Sequence, residues 1–235
     1  MRRSLPLVLV TVSLSACSIT IGFGERGSGE VITETREVSG FSEIVLEGNG
    51  RVIVEVTGTE SLTIEAEDNL MPLLTSSVED GTLVLGATES IAPTRDIVYT
   101  ITASTLEGLD IDGSGHIEAA DLSGEAFTAD IDGSGTIVLP ELSLDRLDAT
   151  ISGSGDIEVS GTASLLEVSV SGSGNFEAEG MEASDATVVV SGSGEAVVNV
   201  TDSLDATVSG SGSIEYLGDP EVTSTISGSG DIEQR

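Results

Sequence analysis

The sequence contains no tryptophan and no lysine, and only one cysteine and one histidine among its 235 residues. This scarcity argues against a zinc cluster, a framework of disulfide bonds, and a Cys/His or Ser/His catalytic pair. Basic residues are also few: eight arginines stand against 41 Asp and Glu, and the formal charge is −33. Nucleic acids and anionic lipid surfaces are bound through a basic face, so this charge argues against both classes of binding.

Aromatic residues make up only 3% of the chain, whereas hydrophobic residues, mainly Val, Ile, Leu and Ala, make up 38%. This is enough apolar material for a core of small side chains, despite the 29 glycines. We therefore expect one folded domain.

The N-terminus has the pattern of an export signal. Met1-Arg2-Arg3 precedes an apolar run over residues 5–14, which is too short to span a membrane as a mature helix. The next segment, Leu14-Ser15-Ala16-Cys17, resembles the bacterial lipobox. The resemblance implies lipid attachment to the thiol of Cys17 and cleavage before it, and an ordinary signal peptide is the alternative.

The lipobox resemblance predicts that residues 1–16 are removed as a lipoprotein signal peptide. This removes two arginines and no acid, so the formal charge of the remainder is −35. Ser18 rather than an aspartate follows the cysteine, which in Gram-negative lipoproteins implies transport to the outer membrane, on either its surface or its periplasmic face. Glycine-rich residues 17–36 are predicted to be a lipidated flexible tether to a domain at 37–235.

An internal repeat dominates the rest of the chain. Gly-Ser-Gly recurs seven times at spacings of 18 to 20 residues, and Gly48-Asn49-Gly50 is a variant copy. Apolar residues recur two and four positions before the first glycine and four positions after it. The first glycines of the seven triplets are Gly113, Gly133, Gly153, Gly172, Gly192, Gly210 and Gly228. This period-2 alternation on both sides of a glycine turn predicts two strands, each with one buried face.

Seven copies at near-constant spacing favour coils that stack on one another over an isolated hairpin. Parallel stacking about 4.8 Å apart turns each set of Ile or Val residues into one column of core. Glycine fits the sharp corners because it tolerates positive φ. The sequence thus predicts an all-β fold, a parallel β-helix or β-solenoid. Its first coil lies in residues 41–56, and about three degenerate coils fit the 65 residues between Gly48 and Gly113.

Two sequence features resemble a known family. The segment from Arg36 to Ile44, which reads REVSGFSEI, opens the domain, and Ser-Gly-Ser-Gly-Asp-Ile-Glu occurs at 152–158 and again at 227–233. Over roughly residues 37–235 the chain resembles the head GIN family of putative bacterial adhesins. The resemblance implies a right-handed, parallel β-helix-like domain in the cell envelope with an adhesive role, and it carries over no catalytic residue.

Function is expected on the outward positions of the coils, because the inward positions are apolar. In the first two Gly-Ser-Gly coils, the outward positions before the glycine carry four aspartates: Asp110, Asp112, Asp130 and Asp132. Carboxylate oxygens suit Ca²⁺, so these residues form a candidate calcium site. The alternative is a solvated acidic surface, and no other cofactor is expected.

The later coils carry Ser and Thr at the equivalent outward positions. These hydroxyls form a candidate contact face for a polysaccharide or another envelope component. Its residues are Thr150, Ser152, Ser169, Ser171, Thr207 and Ser209. The alternative is an ordinary hydrated solenoid surface.

These observations favour a non-enzymatic envelope lipoprotein that acts as an adhesin or binding scaffold. The alternatives are a carbohydrate-active β-helix enzyme, such as a polysaccharide lyase or hydrolase, and a purely structural periplasmic scaffold. The enzyme is disfavoured because Arg51, Arg95 and Arg146 show no repeat-phase pair of carboxylates beside them. His116, directly after the first triplet, is interpreted as a surface residue flanking a turn.

We expect a monomer. The sequence stops at Arg235, within a repeat, and a terminal strand exposes unpaired backbone groups to other chains. The acids Asp231 and Glu233, the short final strand and the partial filling of the core by Tyr216 are predicted to oppose edge pairing, together with the large net charge.

Overall fold

The computed structural model describes residues 24–235, so the predicted signal peptide and Cys17 lie outside the described residues. Within this range no helix has the length and hydropathy needed to span a bilayer. The described residues form one short 3-10 turn, Met71–Leu73, and nineteen strands: β1 Glu25–Arg26, β2 Val31–Arg36, β3 Glu43–Gly48, β4 Arg51–Val56, β5 Ser61–Glu67, β6 Leu74–Glu79, β7 Thr82–Ala87, β8 Ile91–Ala92, β9 Val98–Ala103, β10 Gly108–Gly113, β11 His116–Ala119, β12 Ser123–Gly133, β13 Thr136–Gly153, β14 Asp156–Gly172, β15 Asn175–Gly192, β16 Glu195–Gly210, β17 Ser213–Leu217, β18 Glu221–Gly228 and β19 Asp231–Gln234.

Strands β10 to β19 wind as a parallel β-solenoid, which confirms the predicted fold class. Each strand pairs in parallel with its equivalent one coil further along, so that Ile111 faces Ile131 and Ile131 faces Ile151. These isoleucines are buried, as are the Ile and Val residues at the same position of the next coils as far as Val208. The predicted apolar columns are therefore the core.

The Gly-Ser-Gly turns stack in a single column along one corner of the solenoid. The backbone N–H of Ser154 donates to the carbonyl of Gly133 at 2.8 Å, and equivalent bonds join the turns before and after it. Gly153 has a φ of +132°, and a Cβ placed on it would lie 2.2 Å from that same carbonyl oxygen. Glycine is thus required both by the backbone conformation and by the close approach of the turn below.

A second corner, which no triplet marks, interrupts each long strand. Glu141 has a positive φ of 62° at this corner, and Gly161, opposite Leu142 in the next coil, has a φ of 124°. Between β15 and β16, residues 179–181 have no partner on β16, because Ala178 and Glu182 pair with the consecutive residues Val198 and Asn199. The variation in repeat length is therefore taken up at the second corner, and the triplet corner stays in register.

The segment between Gly48 and Gly113 differs from the prediction of about three degenerate coils. Strands β3 and β4 pair directly with β10 and β11 on one side, and with β7 and β9 on the other. Only β7 and β9 add a further parallel layer. Strand β5 pairs antiparallel with both β2 and β9, β6 pairs antiparallel with β7, and the short β8 pairs with β1. They close this end of the solenoid as a cap.

The predicted flexible tether over 17–36 is too long at its C-terminal end. Glu25–Arg26 pairs in parallel with Ile91–Ala92, and Val31–Arg36 pairs antiparallel with β5. The Arg36 guanidinium also donates to the carbonyls of Leu74 and Met71, at 2.9 and 3.2 Å. Residues 25–36 therefore belong largely to the folded cap.

Glu67 at the end of β5 is the one buried charged residue among the described residues, with 1% of its surface exposed. Its carboxylate accepts hydrogen bonds from the Thr94 hydroxyl at 2.5 Å and the Thr94 N–H at 2.8 Å. It also accepts from the N–H of Gly29 at 2.6 Å and of Arg95 at 3.3 Å. Thus one carboxylate ties the incoming N-terminal segment to the loop before β9, and the Thr94 hydroxyl and these amides lower the pKa of Glu67.

The opposite end of the solenoid is open. All eight residues of β18 are exposed, including Val222 and Ile226, whose relative exposures are 36% and 48%. Tyr216 packs against the core from the coil below and is only partly buried. The Arg235 guanidinium reaches Glu215 at 3.0 Å and Glu179 at 3.4 Å. These contacts fasten the end of the chain but leave the outer edge of β18 uncovered.

The stacking of the triplet turns predicts that Gly153→Ala is strongly destabilising. The added methyl group meets the Gly133 carbonyl and forces a non-glycine residue into the φ of +132°. We expect a loss of at least about 3 kcal/mol in the free energy of unfolding. Gly124→Ala is the matched control, because nothing lies within 4 Å of a Cβ there. It should change stability by about 0.5 kcal/mol or less, and equal effects in urea unfolding would contradict this account of the turn.

The hydrogen bonds to Glu67 predict a stability difference that depends on pH. Glu67→Gln should lower the midpoint of thermal unfolding at neutral pH, because an amide cannot accept from all four donors. Folding lowers the pKa of Glu67. The contribution of its carboxylate to the free energy of unfolding is therefore complete at pH values above the ordinary glutamate pKa of about 4.3, and it is lost as the pH falls through the folded-state pKa. The difference from wild type should therefore narrow in acid. Glu65→Gln, an exposed change on the same strand, should show neither effect.

Candidate functional site

The four predicted aspartates lie together on one outward face. Asp110 is in register with Asp130, and Asp112 with Asp132, on adjacent strands about 4.8 Å apart. We call these four residues the aspartate ladder. Glu47 continues the ladder, because β3 is the neighbouring strand and Glu47 is paired with Asp112. This continuation was not predicted from the sequence. The face is thus more acidic than the triplet repeats alone indicate.

Partial burial, with a contribution from neighbouring charges, raises the pKa of two of these carboxylates. Partial burial raises the pKa of Asp110, and the charges of Asp130, Asp112 and Asp132 raise it further. Burial also raises the pKa of Asp130, and Asp148 adds to this, while a hydrogen bond from the Thr150 hydroxyl acts in the opposite direction. The ionised ladder therefore opposes folding at neutral pH.

The side chains of the aspartate ladder do not converge on a common point. Among residues 24–235 no group of three or more His, Asp or Glu side chains is arranged to hold a metal ion. Residues that share a strand face stand side by side and point in parallel, whereas a calcium site needs six to eight oxygens around one centre. The candidate Ca²⁺ site from the sequence stays a prediction without a formed coordination shell.

The predicted Ser/Thr face forms two columns, one continuous from Ser152 to Ser209 and one interrupted by Val189 between Ser169 and Thr207. Thr150 is in register with Ser169, and Ser152 with Ser171. Further along, Thr207 and Ser209 lie opposite Val189 and Ser191. The sequence analysis did not single out the middle serine of each triplet, although these serines are also exposed and stack alongside the Ser152 column. Together they line the triplet corner as a serine ridge: Ser152, Ser154, Ser171, Ser173, Ser191, Ser193, Ser209 and Ser211.

Arg146 lies beside a pair of carboxylates, which corrects the prediction that no arginine does. Its guanidinium binds Asp148 and Glu167, both at 2.8 Å, and these two acids are in register on adjacent coils. The contact was not visible in the sequence because it joins residues 21 positions apart. All three side chains are about one third to one half exposed, so the arrangement is an ion-pair network on the surface.

His116 lies on the surface next to the triplet turn, as the sequence indicated. It begins β11 and is paired with Arg51 on one side and Thr136 on the other. Arg51 in turn binds Glu118 at 2.9 Å. His116 and Arg51 line a concavity of about 480 Å³ together with Arg95 from the loop before β9. This grouping of two arginines with a histidine was not predicted, because residues 51, 95 and 116 are brought together only by the capping topology.

The raised pKa values of the aspartate ladder predict that removing one charge stabilises the protein. Asp110→Asn should raise the free energy of unfolding at pH 7 by about 1 kcal/mol or less, the repulsion between neighbouring solvated charges. Folding raises the pKa of Asp110, so wild type regains this part of its free energy of unfolding as the pH falls through the folded-state pKa. The free energies of unfolding of the two proteins therefore converge in acid. Asp205→Asn is the control, since its partners in register are Thr187 and Thr223. A destabilised Asp110→Asn in chemical denaturation would refute the repulsion.

Comparison with known proteins places the chain among envelope proteins. The family model described as "Putative auto-transporter adhesin, head GIN domain" matches residues 40–220. No protein of curated function matches the chain.

Solved structures share the fold over nearly the whole chain. A putative adhesin from Bacteroides fragilis is 28% identical with a TM-score of 0.85, and the match covers 90% of this chain and 100% of that one. A putative lipid binding protein from Parabacteroides distasonis is also 28% identical, with a TM-score of 0.76 over 89% of this chain and 98% of that one. A putative adhesin from Parabacteroides merdae, at 23% identity and a TM-score of 0.71 over 89% and 98%, shows the fold alone.

The resemblance found in the opening segment and the triplets is thus confirmed by a match over more than half the chain. The chain belongs to the head GIN domain family of putative auto-transporter adhesins.

Proposed function

We propose that this protein is a non-enzymatic, lipid-anchored envelope protein that binds a hydroxyl-rich polymer along its serine ridge. The observation that carries the proposal is the register of the ridge: one exposed serine before the glycine and one within the turn, repeated on every coil from Ser152 to Ser211. The spacing of about 4.8 Å between coils presents evenly placed donors and acceptors. Such an array suits an extended ligand with repeated hydroxyls.

The affinity of this surface comes from repetition. A single serine contributes one weak hydrogen bond in water, since the bond replaces one to solvent. Several equivalent contacts on one rigid ridge act together, because the first contact holds the rest of the polymer close. The positions before the glycine carry serine on the later coils, whereas the aspartate ladder occupies them on the earlier coils. Asp156 and Glu195 follow the turns, so a neutral polysaccharide suits the ridge better than an acidic one.

The location follows from the family and from the N-terminal sequence. A head GIN domain indicates the envelope or cell surface. Lipid on Cys17 would hold the capped end near the outer membrane, because the described chain enters the cap at Gly24, seven residues later. The solenoid then extends away from the anchor and presents its ridge as a monomer, either outside the cell or in the periplasm.

Two alternatives have weaker support. An enzyme needs a groove with converging acid and base groups. Two arginines each contact a pair of carboxylates, Arg146 with Asp148 and Glu167 and Arg235 with Glu179 and Glu215, and both groups lie at partly exposed surface positions. The neighbour from Parabacteroides distasonis is named a putative lipid binding protein. Acyl chains need an apolar cavity, whereas five concavities of the described residues are each lined in part by charged side chains.

Polymer binding can be tested with paired substitutions. Ser171→Glu with Ser191→Glu places two like charges on adjacent coils of the ridge and should weaken co-sedimentation with envelope polysaccharide at least about tenfold. Ser143→Glu with Thr162→Glu makes the same change on another face, where these two exposed residues are also in register. Equal binding by both variants would reject the ridge as the contact surface.

The anchor is tested separately with Cys17→Ser in cells. This change removes the one thiol in the chain, so the protein should move from the membrane fraction to the soluble fraction. Continued fractionation with membranes would refute lipidation at Cys17. Protease treatment of intact cells producing the wild type then distinguishes surface display from periplasmic display.

A further inference from the structure

We propose that the concavity at the capped end, lined by Asn49, Arg51, Arg95, Ser114 and His116, binds a phosphate group. We call it the basic cleft. This second ligand deepens the proposed envelope function. The proposal rests on that function only for the location of the ligand, which is the cell envelope. Phosphate binding itself requires neither the serine ridge nor the lipid anchor.

The charge of the basic cleft is opposite to that of its surroundings. Four other concavities of the described residues are lined by an excess of carboxylates over cations. The basic cleft contains two arginines and the one histidine of the chain against a single acid, Asp96. Beside the lining, Glu118 pairs with Arg51 at 2.9 Å, whereas no acid of the described residues lies within 4 Å of the Arg95 guanidinium. The uncompensated charge of Arg95 favours an anion at this position.

Several donors of the basic cleft have no partner within the described part of the chain. No carboxylate of residues 24–235, Asp96 included, lies within 4 Å of the Arg95 guanidinium, and its side chain donates no hydrogen bond to them. The imidazole of His116 and the hydroxyl of Ser114 likewise make no side-chain hydrogen bond among these residues. Arg51 donates to Glu118 through one amino group, and its other guanidinium N–H groups make no hydrogen bond with the described residues. The donors are therefore available to a ligand.

The backbone under these donors is held in place. Glu67, which is buried, accepts from the N–H groups of Thr94 and Arg95 and so fixes the loop that carries Arg95. On the other wall, the N–H of Arg51 donates to the carbonyl of Ile97 at 2.8 Å, and the N–H of His116 donates to Gly50 at 2.9 Å. Ligand binding thus needs ordering of side chains but not of the loop or strands.

The arrangement of donors favours phosphate over carboxylate. Donors come from a loop, from two neighbouring strands and from the triplet turn, so they reach an anion from several directions. A tetrahedral phosphate presents three or more oxygens to such a set, whereas a carboxylate presents two in one plane. Guanidinium groups bind phosphate through two parallel N–H donors, and Arg95 has these free. A cavity of about 480 Å³ also leaves room for the body that carries the phosphate.

Both a lipid headgroup and a soluble phosphate ester carry this chemistry. The loop of Arg95 follows Ile91–Ala92, which pairs with the first described strand, Glu25–Arg26. Seven residues separate Gly24 from Cys17 and span at most about 25 Å. A lipid on Cys17 would therefore keep the basic cleft within reach of phospholipid headgroups, so the test includes both sources.

The test is calorimetric titration of the full chain in neutral detergent with glycerol 3-phosphate, inorganic phosphate and acetate. We expect saturable binding of both phosphates at one site per chain and much weaker binding of acetate. Arg95→Gln should weaken phosphate binding at least about tenfold, the usual cost of losing a charge-assisted hydrogen bond. Asp96→Asn should strengthen it several-fold, because it removes the one acid from the lining. Arg146→Gln, a change of the same charge far along the solenoid, should leave it unchanged.

A second arm distinguishes the two sources of phosphate. The full chain carrying Cys17→Ser is mixed with vesicles of phosphatidylcholine, with and without phosphatidylglycerol. Retention on phosphatidylglycerol vesicles that glycerol 3-phosphate releases and Arg95→Gln abolishes supports a headgroup. Calorimetric binding without vesicle retention supports a soluble ester. Absence of saturable phosphate binding, equal weakening by Arg95→Gln and Arg146→Gln, or tighter binding of acetate than of phosphate overturns the proposal. The Ser171→Glu, Ser191→Glu variant should bind phosphate as wild type does. Failure of the polymer-binding proposal can therefore be distinguished from failure of the phosphate-binding proposal.

Discussion

The structure depends on the close stacking of one glycine turn on the next. The N–H of each turn serine donates to the carbonyl of the first glycine in the turn below, at 2.7 to 2.9 Å along the solenoid. This approach leaves no space for a Cβ on that glycine, and the third glycine of the triplet rests on an Ile or Val of the coil below, as Gly155 does on Ile131. Because the turn can stack in only one register, it fixes the pairing of both strands that meet there. The apolar columns, and the outward columns with them, follow from that register.

The fixed register has one unfavourable and one favourable consequence for the side chains on the outer surface. Identical residues recur at one position of adjacent coils, so acids stack on acids, as in Asp110 and Asp130. The charges of the neighbouring acids add to the rise in the pKa of Asp110 that its burial causes. Serines at the same position stack without repulsion and create an evenly spaced array. The solenoid cannot easily bring unlike groups together on these faces, since neighbours are copies of one another. Its faces therefore suit repeated weak contacts with a polymer better than they suit catalysis, which requires different groups around one point.

The parts of the fold that the sequence predicted are those where the repeat is strict. Alternation around each triplet identified the inward columns correctly, because a strand exposes every second residue to the core. The same alternation failed between Gly48 and Gly113, since period 2 does not distinguish parallel from antiparallel strands, and β5 and β6 proved to be antiparallel. Glu47 was missed because its neighbour Asp112 lies 65 residues away. Glu67 was missed because nothing in a single strand reveals that four donors from two other segments surround a carboxylate.

The cap is the part of the molecule whose strands do not follow the repeat. The chain enters there, doubles back through antiparallel strands and begins its regular coils only after β9, so segments of unrelated sequence become neighbours. Unlike groups can then meet: a buried carboxylate with four donors, Arg36 with the carbonyls of the 3-10 turn, and two arginines with a histidine. At the opposite end the repeat simply stops, and β18 exposes an uncharged run from Val222 to Gly228 with no such variety. A specific small ligand is therefore better accommodated at the capped end, and an extended one along the coils between the two ends.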